Sequence, residues 1–333
     1  MFSHNTLRYI VLLMLLGGAL FQAFAAEYFG LEVLTEILIL AMLVLALDIV
    51  AGFGGMVSLC HGALMGWGLR LHASFHPIWG DTVDGHGRGD CHYGRGCLGD
   101  WCGLFAQPWD LLHHGHACFR SDGLFLYLRS APLWGDDGLG GISRLDLSII
   151  GVDLNDSRSF ALFCLAMLAG VYLMSVLILR SGLGRSLTGV MHNEQRMRAL
   201  GLTVWRVKAD VFGLSGMIAG LAGALTAQHI MYISPGLLGW TVSGEALVVV
   251  ILGGLGTLVG PLVGAVAFVL LKHELSAVTT YWHLVVGVVL IAVVMSRANG
   301  IYGWLEGRWV IWQNRRDTKI PHNHVTRETV SDA

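Results

Sequence analysis

Residues 244–273 read GEALVVVILGGLGTLVGPLVGAVAFVLLKH, thirty positions with acidic or basic side chains only near the two ends. A bilayer core about 30 Å thick is crossed by roughly 20 apolar residues in a helix, so this run is too long for one ordinary span. It is also interrupted, by Gly253-Gly254-Leu255-Gly256-Thr257 and by Gly260-Pro261. Glycine and proline punctuate helices, and the run is therefore expected to form two short helices that turn at the break. Irregular backbone at membrane depth is tolerated only where protein or a water-lined cavity satisfies its polar groups. Gly253, Gly254 and Gly256 are thus either part of a pathway wall or sites of close packing through small residues.

The surrounding sequence supports a membrane environment. Over 333 residues the chain is 54% hydrophobic and 13% charged, with a mean hydropathy of +0.63. A soluble domain carries roughly 25% charged residues. Further candidate spans are residues 9–26, 31–51, a shorter Gly-rich piece at 55–69, then 159–179, 209–231 and 281–296. Residues 9–26 end in Ala23-Phe24-Ala25, which imitates a signal-peptide cleavage site, but the run is long for such a segment and a retained first span is expected. The fold class is all-α, a polytopic transmembrane bundle of about seven to nine spans with short broken helices.

Orientation follows from basic residues. The loop 180–208 holds Arg180, Arg185, Arg196, Arg198, Arg206 and Lys208 against one acid, Glu194. By the positive-inside rule this loop faces the cytoplasm, as does the tail 306–333 with Arg308, Arg315, Arg316 and Lys319. An even number of crossings must separate the two, which two helices in 244–273 provide. Asp136, Asp137, Asp146, Asp153 and Asp156 precede residue 159, as suits an external loop. With a net charge of −2 and no clustered phosphate-binding face, nucleic acid is not an expected partner.

Residues 70–122 break the pattern. Seven of the fifteen histidines and four of the six cysteines fall there, with no apolar run of spanning length. Cys91, His92, Cys97, Cys102, His113, His114, His116 and Cys118 are zinc or copper ligand types, yet their spacing matches no standard zinc pattern. A metal site and a long extramembrane loop are two readings. The favoured third is that the stretch was translated in a shifted reading frame, so that no metal ligand is assigned in it. The resulting organisation is N-terminal spans at 1–69, the anomalous segment at 70–132, a permease-like core at 133–305 and the tail at 306–333.

Other single residues admit two readings. His61, beside the Gly-rich piece with Ser58, either lines a route or is a packed, hydrogen-bonded histidine. Glu245 either lines a pathway or is an interfacial residue at the outer end of its span. Asp48, near the inner end of its span, can reach water by snorkelling. The loop reads GLGRSL (182–187) and TGVMHNEQRMRALGL (188–202), a short amphipathic surface helix closed by Gly201.

These motifs carry a resemblance. That loop, SGMIAGLAGALTA (215–227), ISPGLLGWTVSGEALVVVILGGLGTLVGPLVGA (233–265) and GFGGMVSLCHGALMG (52–66) together resemble the LivM-type permease subunit of branched-chain amino acid ABC transporters. The resemblance implies that the loop is a coupling helix on an ATPase, with Gly184, Arg185, Glu194, Arg198, Ala199 and Gly201 at the matching positions. It implies a translocation path near Ser58, His61, Glu245, Gly253, Gly254 and Gly256. It also implies a second related permease subunit, two ATP-binding cassette ATPase subunits, a periplasmic substrate-binding protein and a bacterial inner-membrane location. The solute would be a branched-chain amino acid, or alternatively urea or a short-chain amide. The sequence departs from the family's usual pattern at Asp48, at Cys60 and across 70–122, where an RGIYF-like turn is not found. No cofactor is expected in the chain itself: G-x-x-x-x-G-K-[ST] is absent, so ATP would be used by partners. H-E-x-x-H and G-x-S-x-G are absent too, leaving no recognisable catalytic constellation.

Overall fold

The computed structural model describes residues 5–66, 68, 139–142, 144–145, 153–233, 239–295 and 300–317. The proposed metal ligands Cys91 to Cys118 lie outside the described residues. The described chain is a bundle of helices: α1 (Asn5–Ala25), α2 (Tyr28–Asp48), α3 (Ser157–Arg180), α4 (Gly182–His192), α5 (Glu194–Ala199), α6 (Val204–Ile230), α7 (Trp240–Gly253), α8 (Val259–Val278), α9 (Trp282–Met295) and α10 (Gly300–Asp317). Five helical stretches, from Thr6, Tyr28, Ser157, Val204 and Val259, are long and apolar enough to cross a membrane.

The centre of the bundle is α2. Its sequence is apolar on nearly every face, the signature of a helix with no polar solvent on any side, and Leu34 through Leu47 are almost all buried. It packs against α1, α3, α6, α7 and α8. By contrast α1 leaves Leu13, Met14, Phe21 and Phe24 exposed, as a helix at the lipid boundary should.

Local chemistry fixes the ends. Asp156 caps α3 by accepting from the Ser159 N–H at 3.2 Å, and Asn193 caps α5 by accepting from the Arg196 N–H at 2.9 Å, each satisfying a donor with no intrahelical partner. Gly201, with φ of +84°, ends the α5 turn, a left-handed conformation that glycine adopts without strain.

Long-range contacts show which helix ends lie together. Glu32 and Glu36, on successive turns of α2, reach Ser157 at the start of α3, His229 at the end of α6, and Lys272 and His273 late in α8. These ends share one side. On the other side the residues after α2 meet α4, with Gly54 beside Leu187 and Gly55 beside Met191. That side carries α4 and α5, the arginine-bearing loop that the positive-inside rule would assign to the cytoplasm. A two-residue antiparallel pairing of β1 (Leu139–Gly140) with β2 (Tyr232–Ile233) ties the segment before α3 to the outer end of α6. Arg144 reinforces it, donating from Nη1 to the carbonyls of Leu154 and Asn155, each at 3.1 Å, and lying 4.5 Å from the Phe160 ring centroid.

The run 244–273 does divide into two helices, α7 and α8, turning over residues 254–258. Two sequence expectations are corrected. The Gly-rich piece at 55–69 is no ordinary span: helix begins only at residue 61, after irregular backbone at 54–60. The tail expected from residue 306 begins inside a helix, because α10 starts at Gly300, whose backbone sits directly on Gly253 and Gly254.

Candidate functional site

The arginine-bearing loop folds as two helices rather than one. Buried Leu187 and Val190 seat α4 on the bundle, and Gly184 is buried where a Cβ would fall 2.4 Å from the Leu179 backbone. Gly184 is therefore a packing residue, while Arg185, Arg198, Ala199 and Gly201 are exposed. Glu194 is held within the chain. It accepts a hydrogen bond from Lys208 Nζ of α6 at 2.9 Å and pairs with the Arg198 guanidinium one turn along. The Lys208 ammonium, followed by Arg198, holds the Glu194 carboxyl below the usual carboxylate range. On α4 and just after α5, Met191 and Leu200 are 47% and 71% exposed, and Arg196 and Arg198 are exposed on α5.

The residues expected along a path separate into three places. His61 is fully buried, with Nδ1 3.1 Å from Ser58 Oγ and Nε2 2.7 Å from Ser215 Oγ. Ser215 Oγ in turn donates to the Ala46 carbonyl. Both ring nitrogens are engaged, so His61 and Ser58 tie the 58–61 backbone to α6 and α2, contacts that suit a packed, hydrogen-bonded histidine.

Gly253, Gly254 and Gly256 make the α7–α8 turn a close-packed one. A Cβ at Gly253 would lie 2.0 Å from the Gly260 carbonyl oxygen, and one at Gly264 would lie 2.4 Å from that of Val249. The two backbones touch, which favours packing over an open wall at this point. Gly254 and Gly256 have φ of +122° and +74°.

Glu245 stands apart. It borders a cavity of about 170 Å³ with Val248, Phe268, Trp282, His283, Val286 and Gly287, between α7, α8 and α9. The cavity reaches from Phe268, midway along α8, to Trp282 and His283 at the start of α9, so it suits both the pathway and the outer-end reading of Glu245. An ionisable residue within an apolar span is costly unless it has a task or a partner.

Asp48 does not snorkel. It has no solvent exposure and its carboxylate accepts from the N–H of Gly256 at 2.7 Å and of Leu258 at 3.2 Å. Nothing along the chain signals this, since its partners lie more than 200 residues away.

With the geometry in view, comparison with known proteins is informative. The family model described as "Branched-chain amino acid transport system / permease component" matches residues 122–294, more than half of the chain. The chain belongs to this family. The matched segment includes the arginine-bearing loop, α6 and the α7–α8 hairpin, and begins where the anomalous stretch 70–122 ends.

Curated relatives include the high-affinity branched-chain amino acid transport system permease protein LivM of Salmonella typhimurium, 29% identical over 157 residues, or 46% of this chain and 37% of the relative. LivM of Escherichia coli is 29% identical over 146 residues, 43% and 34% of the two chains. The ribose import permease protein RbsC of Bacillus subtilis is also similar, 29% identical over 143 residues, 40% and 44% of the two. The chain thus spans less than half the length of each of these relatives. No solved structure matches it. Family and fold together establish a multi-pass integral membrane protein of the permease type.

Proposed function

We propose that this chain is the membrane-spanning permease of an ATP-driven importer, carrying branched-chain amino acids across a bacterial cytoplasmic membrane. The observation that carries the reading is the family match across residues 122–294, which contains the cytoplasmic loop and the hairpin with Glu245. The partners would be a second related permease, two ATP-binding cassette ATPase subunits and a periplasmic binding protein. In this reading Met191, Leu200, Arg196 and Arg198 present the docking face, while Glu194 fixes its angle through Lys208. ATP-driven closure of the ATPase pair would shift the bundle between outward-open and inward-open populations.

The relatives include both amino acid and sugar permeases, so the solute rests on chemistry. A sugar presents hydroxyl groups around its ring and needs hydrogen-bonding partners on several sides. The cavity beside Glu245 is bordered mainly by Val248, Phe268, Val286, Trp282 and Gly287, which suits a branched aliphatic side chain better.

The test is reconstitution of the chain with its partner subunits in proteoliposomes, measuring ATP-dependent uptake of leucine, ribose and urea. Leucine uptake is expected; uptake of ribose or urea in its place would reassign the solute. Glu194→Lys and Gly201→Trp should each reduce ATPase co-purification, the first by freeing α5 from α6 and the second by straining a left-handed position. Full association in both variants would sink the docking role of the loop.

A further inference from the structure

The cytoplasmic loop and the α7–α8 hairpin are joined through one short piece of α2. At Asp48 the α-helix gives way to a π-helical turn, Ile49–Phe53. Such turns are rare and occur where a helix is locally deformed, often at functional sites. On its cytoplasmic side this piece packs against α4, with Gly54 beside Leu187 and Gly55 beside Met191. On its other side Asp48 holds the turn between α7 and α8 through the Gly256 and Leu258 N–H groups.

The turn depends on that grip. Leu258 has φ of +60°, a left-handed conformation unusual for a residue with a branched side chain. Gly52 stacks on the same point: a Cβ there would lie 2.2 Å from Asp48 Oδ1 and 2.4 Å from the Gly256 nitrogen. Without the carboxylate, the buried Leu258 N–H and the half-buried Gly256 N–H would lose their acceptor. Asp48 is buried and Gly52 is half-buried.

We propose that Asp48 is the positioning residue that transmits motion of the α4–α5 segment to the α7–α8 hairpin, and so to the cavity at Glu245. The inference rests on the ATP-driven reading above and adds the route within this chain. Displacement of α4 by a partner moves the 49–55 segment packed on it. The Asp48 carboxylate, bonded to two successive elements of the turn, carries that displacement into α7 and α8 as one rigid hairpin, whose backbones already touch at Gly253 and Gly260.

The experiment uses the reconstituted full complex and compares Asp48→Ala, Asp48→Asn and Gly223→Ala. The last disturbs a different contact, where a Cβ would lie 1.9 Å from the Met65 carbonyl oxygen, and serves as a control for general destabilisation. Two quantities are read: the ratio of binding-protein-stimulated to basal ATP hydrolysis, and solute imported per ATP hydrolysed. Asp48→Ala should co-purify with the ATPase yet lose at least ten-fold in solute per ATP, its stimulation ratio falling towards one. Asp48→Asn, which keeps one acceptor oxygen, should fall between Asp48→Ala and the unaltered complex. Gly223→Ala should lower thermal stability and leave both ratios unchanged.

Normal coupling in Asp48→Ala, or an equal loss of coupling in Gly223→Ala, overturns the inference. Should Asp48→Ala fail to assemble, Asp48→Asn decides, and failure of both assigns Asp48 to folding and overturns it as well. Absence of ATP-dependent uptake by the unaltered complex would instead overturn the proposed function.

Discussion

An alanine at position 264 would place its Cβ 2.4 Å from the Val249 carbonyl oxygen and 2.9 Å from Gly253 Cα, where ordinary contact begins at 3.4 Å. The helices α7 and α8 would have to part by about 1 Å, and α7 is backed on its other side by α2. Backbone atoms cannot yield as a flexible side chain does. Overpacking of this kind costs about 1–3 kcal/mol, which lowers the folded-to-unfolded ratio roughly 5- to 150-fold. Gly170 in α3 is the matched comparison, since a Cβ there meets nothing within 4 Å. In a helix interior glycine is about 0.5–1 kcal/mol less favourable than alanine, so Gly170→Ala should be neutral or mildly stabilising. Unfolding in mixed micelles titrated with SDS, followed by tryptophan fluorescence, separates the two. If Gly264→Ala proves as stable as Gly170→Ala, the hairpin is loose at this level and the glycines would regain a claim to line an open path.

Three other outcomes follow from the contacts described. Glu36 is bonded to Lys272 Nζ at 2.8 Å and lies 2.9 Å from His273 Nε2, all about one-third exposed; a double-mutant cycle on Glu36→Gln and Lys272→Met should give a coupling of about 1 kcal/mol at most. The Glu194 carboxyl is held below its ordinary value by Lys208 and Arg198, so its contribution is fully present above the unfolded carboxylate range and is lost as pH falls through the lower folded value. For so exposed a group this is worth about 0.2–1 kcal/mol, and acid titration of ATPase co-purification should move by that small amount in the unaltered chain and not in Glu194→Gln. His61→Ala leaves Ser58 and Ser215 without their imidazole partner and opens a cavity; a stability loss of about 2 kcal/mol or more with unchanged solute preference is expected, and a changed preference would return His61 to the pathway.

The helical character and the division of residues 244–273 were legible because they rest on local signals. Apolar run length and glycine-proline punctuation each act within one segment. The amphipathic loop was legible too, although Asn193 breaks it into α4 and α5 by capping the second helix. The individual roles were less so. The resemblance placed Glu194 on the ATPase-facing loop, and the spacing along the chain did not reveal its bond to Lys208, fourteen residues on. Glu245 could be read as pathway lining or as an interfacial residue, and its neighbours Phe268 and Val286 came from helices the sequence could not bring to it.

By itself the sequence determined that this chain lives in lipid and where its longest apolar run must fold back, since hydrophobic length and glycine-proline punctuation constrain any chain in a bilayer. Only the tertiary structure decided what the polar residues inside the bundle do. Asp48 grips a turn more than 200 positions away, Glu36 reaches Lys272 and His61 bridges to Ser215. A buried polar group needs a partner, but which one is set by how the helices cross, and that is not written in the spacing of residues along the chain.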